Sequence, residues 1–151
     1  MNNTLTLAAA TGGVTPGTFG VINVNGGTLA ANVIANGSGV GNINLLYGTL
    51  TVAGIAGTQT APISSLSATN SVFNLPVISG SNVITTTSLR TAGASNVINI
   101  ISAPPFPGYP AQVTLIKILW QHQRFRFQFC LGHAAGALCR LSFQQHGQCF
   151  G

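Results

Sequence analysis

The 151-residue sequence contains no Asp and no Glu, and only five Lys or Arg, so charged residues make up 3% of the chain. Ordinary globular domains carry roughly 25%. Up to residue 116 it also lacks Cys, His and Trp, and its one charge there is Arg90. Each absence removes a class of chemistry. Without carboxylates there is no glycosidase-type acid pair and no Ser-His-Asp triad. Nor is there an EF-hand or an Asp-dependent calcium repeat, or the usual metal ligand of Mg²⁺-assisted phosphoryl transfer. Without Cys before residue 117, that part has no disulfide framework, and the odd total of three leaves the redox compartment unread. No apolar run reaches the roughly 18–20 residues of a membrane helix. The opening "MNNTLTLAAATGG" lacks the basic start of a secretory signal. The expectation is a chain that is no enzyme and binds no cofactor.

What is present divides sharply at Lys117. Residues 1–116 hold 13 Asn and 16 Thr, with abundant Gly, Ser and aliphatic residues; residues 117–151 hold neither Asn nor Thr. The tail instead carries Lys117, Arg124, Arg126 and Arg140, all three His, all three Cys, the Trp and six of the eight Gln. The +5 net charge therefore describes the tail and not the body. With 46% apolar residues and so little charge, the composition is the opposite of a disordered chain. One domain of this size buries about 70% of its unfolded surface.

Helix signals in the body are poor, because Gly, Asn and β-branched residues dominate and no stretch keeps a 3.6-residue apolar period. Short apolar runs alternate with Gly/Asn/Ser turns, which reads as many short strands. "GVINVNGGTLAA" from Gly20 and "GNINLLYGTLTV" from Gly41 repeat in register. They share Ile22/Ile43, Asn23/Asn44, Gly27/Gly48, Thr28/Thr49 and Leu29/Leu50. An apolar-Asn-apolar triplet recurs around Asn74 and Asn99, so Asn23, Asn44, Asn74 and Asn99 are expected at equivalent places. A strand-and-turn period of about 20–30 residues predicts an all-β fold, a parallel β-solenoid or β-helix of about five short coils. Its Asn side chains can stack as amide ladders, each donating and accepting.

The stretch "NGGTLAANVIANGSGVGNINLLYGTLTVAG" resembles the autotransporter-associated β-strand repeats of large bacterial surface proteins, and the likeness covers roughly residues 3–116. The resemblance implies an exported passenger β-helix with a stalk or adhesin role, and it supplies no catalytic residues. It also implies that this chain is a fragment, its parent at the cell surface or extracellular, its partners the neighbouring β-coils of that parent or further copies of itself. Membrane attachment is then expected only through an anchor not present here. No nucleic-acid partner is expected. Two other functions stay open from the residues: a small adhesin or carbohydrate-binding β-domain using exposed Asn, Thr and Tyr47, and a cationic tail that binds anionic membrane or nucleic acid.

Other motifs are weaker. "GSGVG" (37–41) precedes a strand where a phosphate loop needs a helix, so it is expected to form a solenoid corner. "APPFPGYP" (103–110) is too rich in Pro for a central strand and is expected to bulge as a loop. In the tail, Cys130, His133, Cys139, His146 and Cys149 are zinc-competent types, but their spacings match no established motif. Arg124 to Phe129 alternates polar and aromatic with period two, the pattern of a charged stacking strand.

The joint loss of Asn, Thr and Val with gain of Gln, His, Arg and Cys is what a shifted reading frame produces. Plausible codons from Ile118 onward, read one base later, regain Gly, Ser, Asn and Thr. The expectation is a solenoid repeat region over 1–116 and a compositionally foreign, out-of-frame and poorly ordered tail over 117–151. Stop codons in the next frame of the genomic DNA would defeat that expectation.

Overall fold

The computed structural model describes residues 3–9, 17–106, 111–119 and 129–131, and all their regular structure is strand. In chain order the strands are β1 Thr4–Leu7, β2 Phe19–Asn25, β3 Thr28–Ala31, β4 Val33–Asn36, β5 Val40–Leu46, β6 Thr49–Val52 and β7 Ser65–Thr69. They continue as β8 Val72–Pro76, β9 Ile84–Thr86, β10 Leu89–Ala92, β11 Asn96–Ser102, β12 Ile116–Ile118 and β13 Phe129–Leu131. Every strand pairing is parallel and joins segments about one coil apart.

The strands sort into three sheets. In sheet A, β1 pairs β4 and β9 pairs β12, and Ala56 bridges the two pairs by contacting both Ile34 and Ile84. Sheet B runs β2-β5-β7-β10, and sheet C runs β3-β6-β8-β11-β13. The chain visits B, C and A in turn, which makes a parallel β-solenoid of about four turns. That is fewer than the spacing of the repeats predicts, because surface insertions take up chain that would otherwise form a coil.

Alternation explains the interior. In β5 and β6 every second residue points inward, and Ile43, Leu45, Leu50 and Val52 are buried. Stacked rungs align these residues in columns: Leu5, Ile34, Ala56, Ile84 and Ile116 in sheet A; Ile22, Ile43, Leu66 and Leu89 in sheet B. Sheet C contributes Leu29, Leu50, Phe73 and Ile98. Each fully covered aliphatic or aromatic side chain contributes about 1.5–3 kcal/mol relative to exposure. A core of this kind needs no charge to hold it.

The corner between sheets B and C is the most regular. It places Gly26, Tyr47, Asn70 and Gly93 at successive rungs with φ of 71°, 52°, 48° and 84°. The N–H groups of Gly26, Tyr47 and Asn70 donate to Leu46, Thr69 and Ala92 carbonyls one rung on, at 2.9, 2.9 and 3.4 Å. Left-handed backbone suits Gly and is tolerated by Asn. Asn70 adds a further support, its Oδ1 accepting from the N–H groups of Ala94 and Ser95 at 2.7 and 3.3 Å.

The corner between sheets C and A absorbs the irregularity. It is Asn32 alone in the first turn, 53–55 in the second and 77–83 in the third; in the fourth the described residues between the two strands are 103–106 and 111–115. A further loop, 57–62, leaves sheet A after Ala56 and returns at Ile63, which bridges Thr86. These insertions account for the loose spacing after residue 57. The pairing with earlier coils runs across the compositional boundary: Lys117 lies opposite Thr85 in β12, and β13 pairs β11. Ile116 and Ile118 keep the alternation that sheet A requires, with Ile116 buried and Lys117 exposed. Residues 120–128 and 132–151, where poor order is expected, lie outside the described residues.

Candidate functional site

Among the described residues no three His, Cys, Asp or Glu side chains come together as a metal site. Cys130 falls in β13, opposite Val97. His133, Cys139, His146 and Cys149 lie outside the described residues, as do Arg124 and Arg126. Residues 37–39 form the corner between sheets A and B, and Gly41 already belongs to β5, so no helix follows the glycines. Residues 103–106 form no strand, with Phe106 packed against the core; 107–110 lie outside the described residues. No described helix is long and apolar enough to cross a membrane.

The polar residues singled out by the repeats form ladders, but not one ladder. Gly20, Ile22, Asn23, Thr28 and Leu29 stand directly opposite Gly41, Ile43, Asn44, Thr49 and Leu50. Asn44 Nδ2 donates to Asn23 Oδ1 at 2.8 Å on the outer face of sheet B. Asn74 and Asn99, expected at the same place, instead lie in sheet C. There Asn99 Nδ2 donates to Asn74 Oδ1 at 3.0 Å, and Asn74 Nδ2 to Thr51 Oγ1 at 3.0 Å. The position after Asn44 in sheet B is Ser67, followed by Arg90. The reason is that an apolar-Asn-apolar triplet specifies an outward amide flanked by inward aliphatics on any sheet; it does not specify which sheet. In all three bonds the amide donates toward the preceding rung.

The exposed apolar residues were not legible as a group. Phe19 and Val21, 72% and 51% exposed, share the outer face of β2, with Val40 opposite Phe19. Tyr47, 64% exposed, stands at the far corner of that sheet. Glycine at positive φ in the corners follows from the turn-rich sequence, and Gly26 and Gly93 adopt it; the recurrence of that backbone at Tyr47 and Asn70 does not. Its signal is a Gly or Asn at the same step after each sheet B strand, hidden in the second turn by Tyr47.

The first rung differs from those behind it. Leu5, Ile22, Val24 and Leu29 point inward yet are only partly buried. Their neighbours one rung on, Ile34, Ile43, Leu45 and Leu50, are 2% exposed or less. On its outer side neither β2 nor β3 pairs with another strand among the described residues. No family model matches the chain, and no curated protein or solved structure compared with it matches either.

Proposed function

We propose that this chain is a structural, non-catalytic β-helix segment of a bacterial surface or secreted protein of the autotransporter type, a stalk or passenger that extends and presents surface. The observation that supports this most is the continuous in-register stack, five rungs deep in sheet A from Leu5 through Ile34, Ala56 and Ile84 to Ile116. A stack of this kind transmits length through backbone pairing and an apolar bore, and each coil contacts only its neighbours. Its outer faces carry Asn, Ser and Thr in short ladders and one charge, Arg90, before the boundary. The Gly-Thr-Leu repeats are the feature shared with bacterial passenger helices.

Tyr47 and Phe19 favour the second reading, a small adhesin or carbohydrate-binding domain, because both rings are exposed. They stand at opposite ends of sheet B, separated by about 20 Å at 3.3 Å per residue, so they do not line a common groove. A stalk accounts for that arrangement better than a binder does.

An epitope inserted in the exposed loop at Thr58 to Thr60 of the parent protein tests the proposal on bacterial cells. Antibody labelling of intact cells, removed by brief external proteolysis, is the expected result. Labelling that requires permeabilised cells overturns it.

A further inference from the structure

We propose that the two Asn-Gly steps of the chain are spontaneous deamidation sites under opposite control by the fold. Asn25 reacts in the folded solenoid, whereas Asn36 reacts only when the corner between sheets A and B opens, and its product then keeps that corner from closing. The inference rests on the solenoid alone and is independent of the stalk reading.

The chemistry needs only the chain and water. The backbone nitrogen of the Gly attacks Cγ of the preceding Asn and forms the N–Cγ bond of a succinimide ring. The Cγ–Nδ2 bond breaks, and Nδ2 leaves as ammonia with the proton that the Gly nitrogen gives up. Water then opens the ring at either carbonyl, leaving Asp or isoaspartate. Gly favours the attack because it has no Cβ to block the approach. Asn25-Gly26 and Asn36-Gly37 are the two such pairs in the sequence.

Asn25 is free to react. It ends β2, its side chain is exposed on the outer face of sheet B, and that side chain makes no hydrogen bond among the described residues. The exposure belongs to the column, since Leu46, directly opposite one rung on, is 43% exposed. Gly26 has open space where a Cβ would stand. One bond has to break before its nitrogen can attack, the one it donates to the Leu46 carbonyl at 2.9 Å.

Asn36, at the end of β4, is held at every atom the reaction uses. Its Nδ2 donates to the Pro62 carbonyl at 2.7 Å and to the Gly39 carbonyl at 3.4 Å. Its Oδ1 is buried and packs where a Cβ on Gly41 would stand. The Gly37 N–H donates to the Leu7 carbonyl at 2.7 Å, and the Ala8 backbone fills the space beside Gly37. The carbon to be attacked is therefore fixed and the leaving group anchored. Two more hydrogen bonds than at Asn25, each of ordinary strength, slow the reaction on the order of tenfold. Pro62 ends the loop 57–62, so displacing that loop releases the shorter of the two Nδ2 bonds.

The product does not fit back. A carboxylate only accepts hydrogen bonds, and both groups that Nδ2 meets are carbonyl oxygens. Burying an unpaired charge against them costs far more than an ordinary hydrogen bond returns. Asn25 faces solvent, where the same change is tolerated.

The full chain is held in neutral buffer, with its β signal followed by far-UV circular dichroism, and a second sample is held in concentrated urea. Both are cut with elastase at intervals, and mass spectrometry of the peptides reads the exchange of NH2 for OH at each Asn. In buffer, Asn25 is expected to react on the order of tenfold faster than Asn36; in urea the two should react alike. Asn25→Asp and Asn36→Asp carry the product's carboxylate. The first is expected to unfold in urea as the unaltered chain does, and the second at lower urea or to show no β signal at all.

Asn36 reacting as fast as Asn25 in buffer overturns the proposal, and so does an Asn25 that stays unchanged there. Equal unfolding midpoints for the two Asp variants overturn the closing step. A chain without any β signal in buffer overturns the solenoid itself, whereas cell-surface labelling bears on the stalk reading separately.

Discussion

The first and second turns carry nearly the same sequence in the same register, yet they are physically different. Leu29 and Leu50 are direct neighbours in sheet C, and one is partly exposed while the other is fully buried. Ile22 and Ile43 in sheet B differ in the same way. Gly27 has open space where a Cβ would stand, whereas a Cβ on Gly48 would lie 2.8 Å from Val24 Cγ1 and 3.0 Å from its carbonyl oxygen. The repeat makes a residue inward-facing; only a rung on each side makes it buried. A solenoid therefore gains stability from nearest-neighbour interfaces, and its terminal rung is the weakest.

The largest test of that difference is a matched pair of truncations. Leu50→Ala is expected to cost about 2–5 kcal/mol, the range for a buried Leu whose cavity relaxes only in part. Leu29→Ala, already half-solvated, is expected to cost roughly 1 kcal/mol, in line with the smaller area it removes from contact. Urea unfolding of both variants checks this, and equal losses would erase the distinction between the rungs.

Glycine sharpens it next. Gly48→Ala forces a methyl group against Val24 and is expected to cost about 1–3 kcal/mol; Gly27→Ala, in open space, should be neutral within about 0.5 kcal/mol. Combining Gly48→Ala with Val24→Ala should cost less than the two changes added, because they share one contact. Additive costs in the double-mutant cycle would show that the clash is not what makes Gly48 necessary.

At the B–C corner the two turns reverse roles. The first has Gly26 in left-handed backbone, and the second strains Tyr47 into it. Gly26→Ala is expected to lose about 1 kcal/mol, and Tyr47→Gly to gain roughly 0.5–1 kcal/mol as the steric penalty disappears. Thermal melts of the two variants should shift in opposite directions.

The smallest effect is a null one that both turns share. Acid denaturation usually follows protonation of carboxylates that are stabilised in the folded state, and this chain has no Asp or Glu. Its β circular dichroism signal is expected to hold from about pH 5 down to about pH 2. An acid transition in that range would mean that something other than side-chain carboxylates governs it.

The strand character and the pairing of the first two turns were legible because identical residues 21 positions apart, Asn23 and Asn44, bond to each other. After residue 57 legibility fell. Loop 57–62 and the growing C–A corner break the even spacing while leaving the stack intact. Asn74 was accordingly assigned to the wrong column: its neighbour one rung back is Thr51, not Asn44. "SNVIT" at Ser81 and "SNVIN" at Ser95 likewise echo without stacking, since Ile84 belongs to sheet A and Ile98 to sheet C.

The sequence by itself determined that the chain forms strands with alternating inward aliphatics and outward amides, that it turns at Gly and Asn, and that carboxylate chemistry is impossible. These are local consequences of side-chain shape, backbone freedom and residue type. The tertiary stack decided which sheet each strand joins, which amides meet, and which of two equal leucines is buried. Those depend on the rung above and below, set by chain some 20 or more residues away and by loops whose lengths carry no periodic signal.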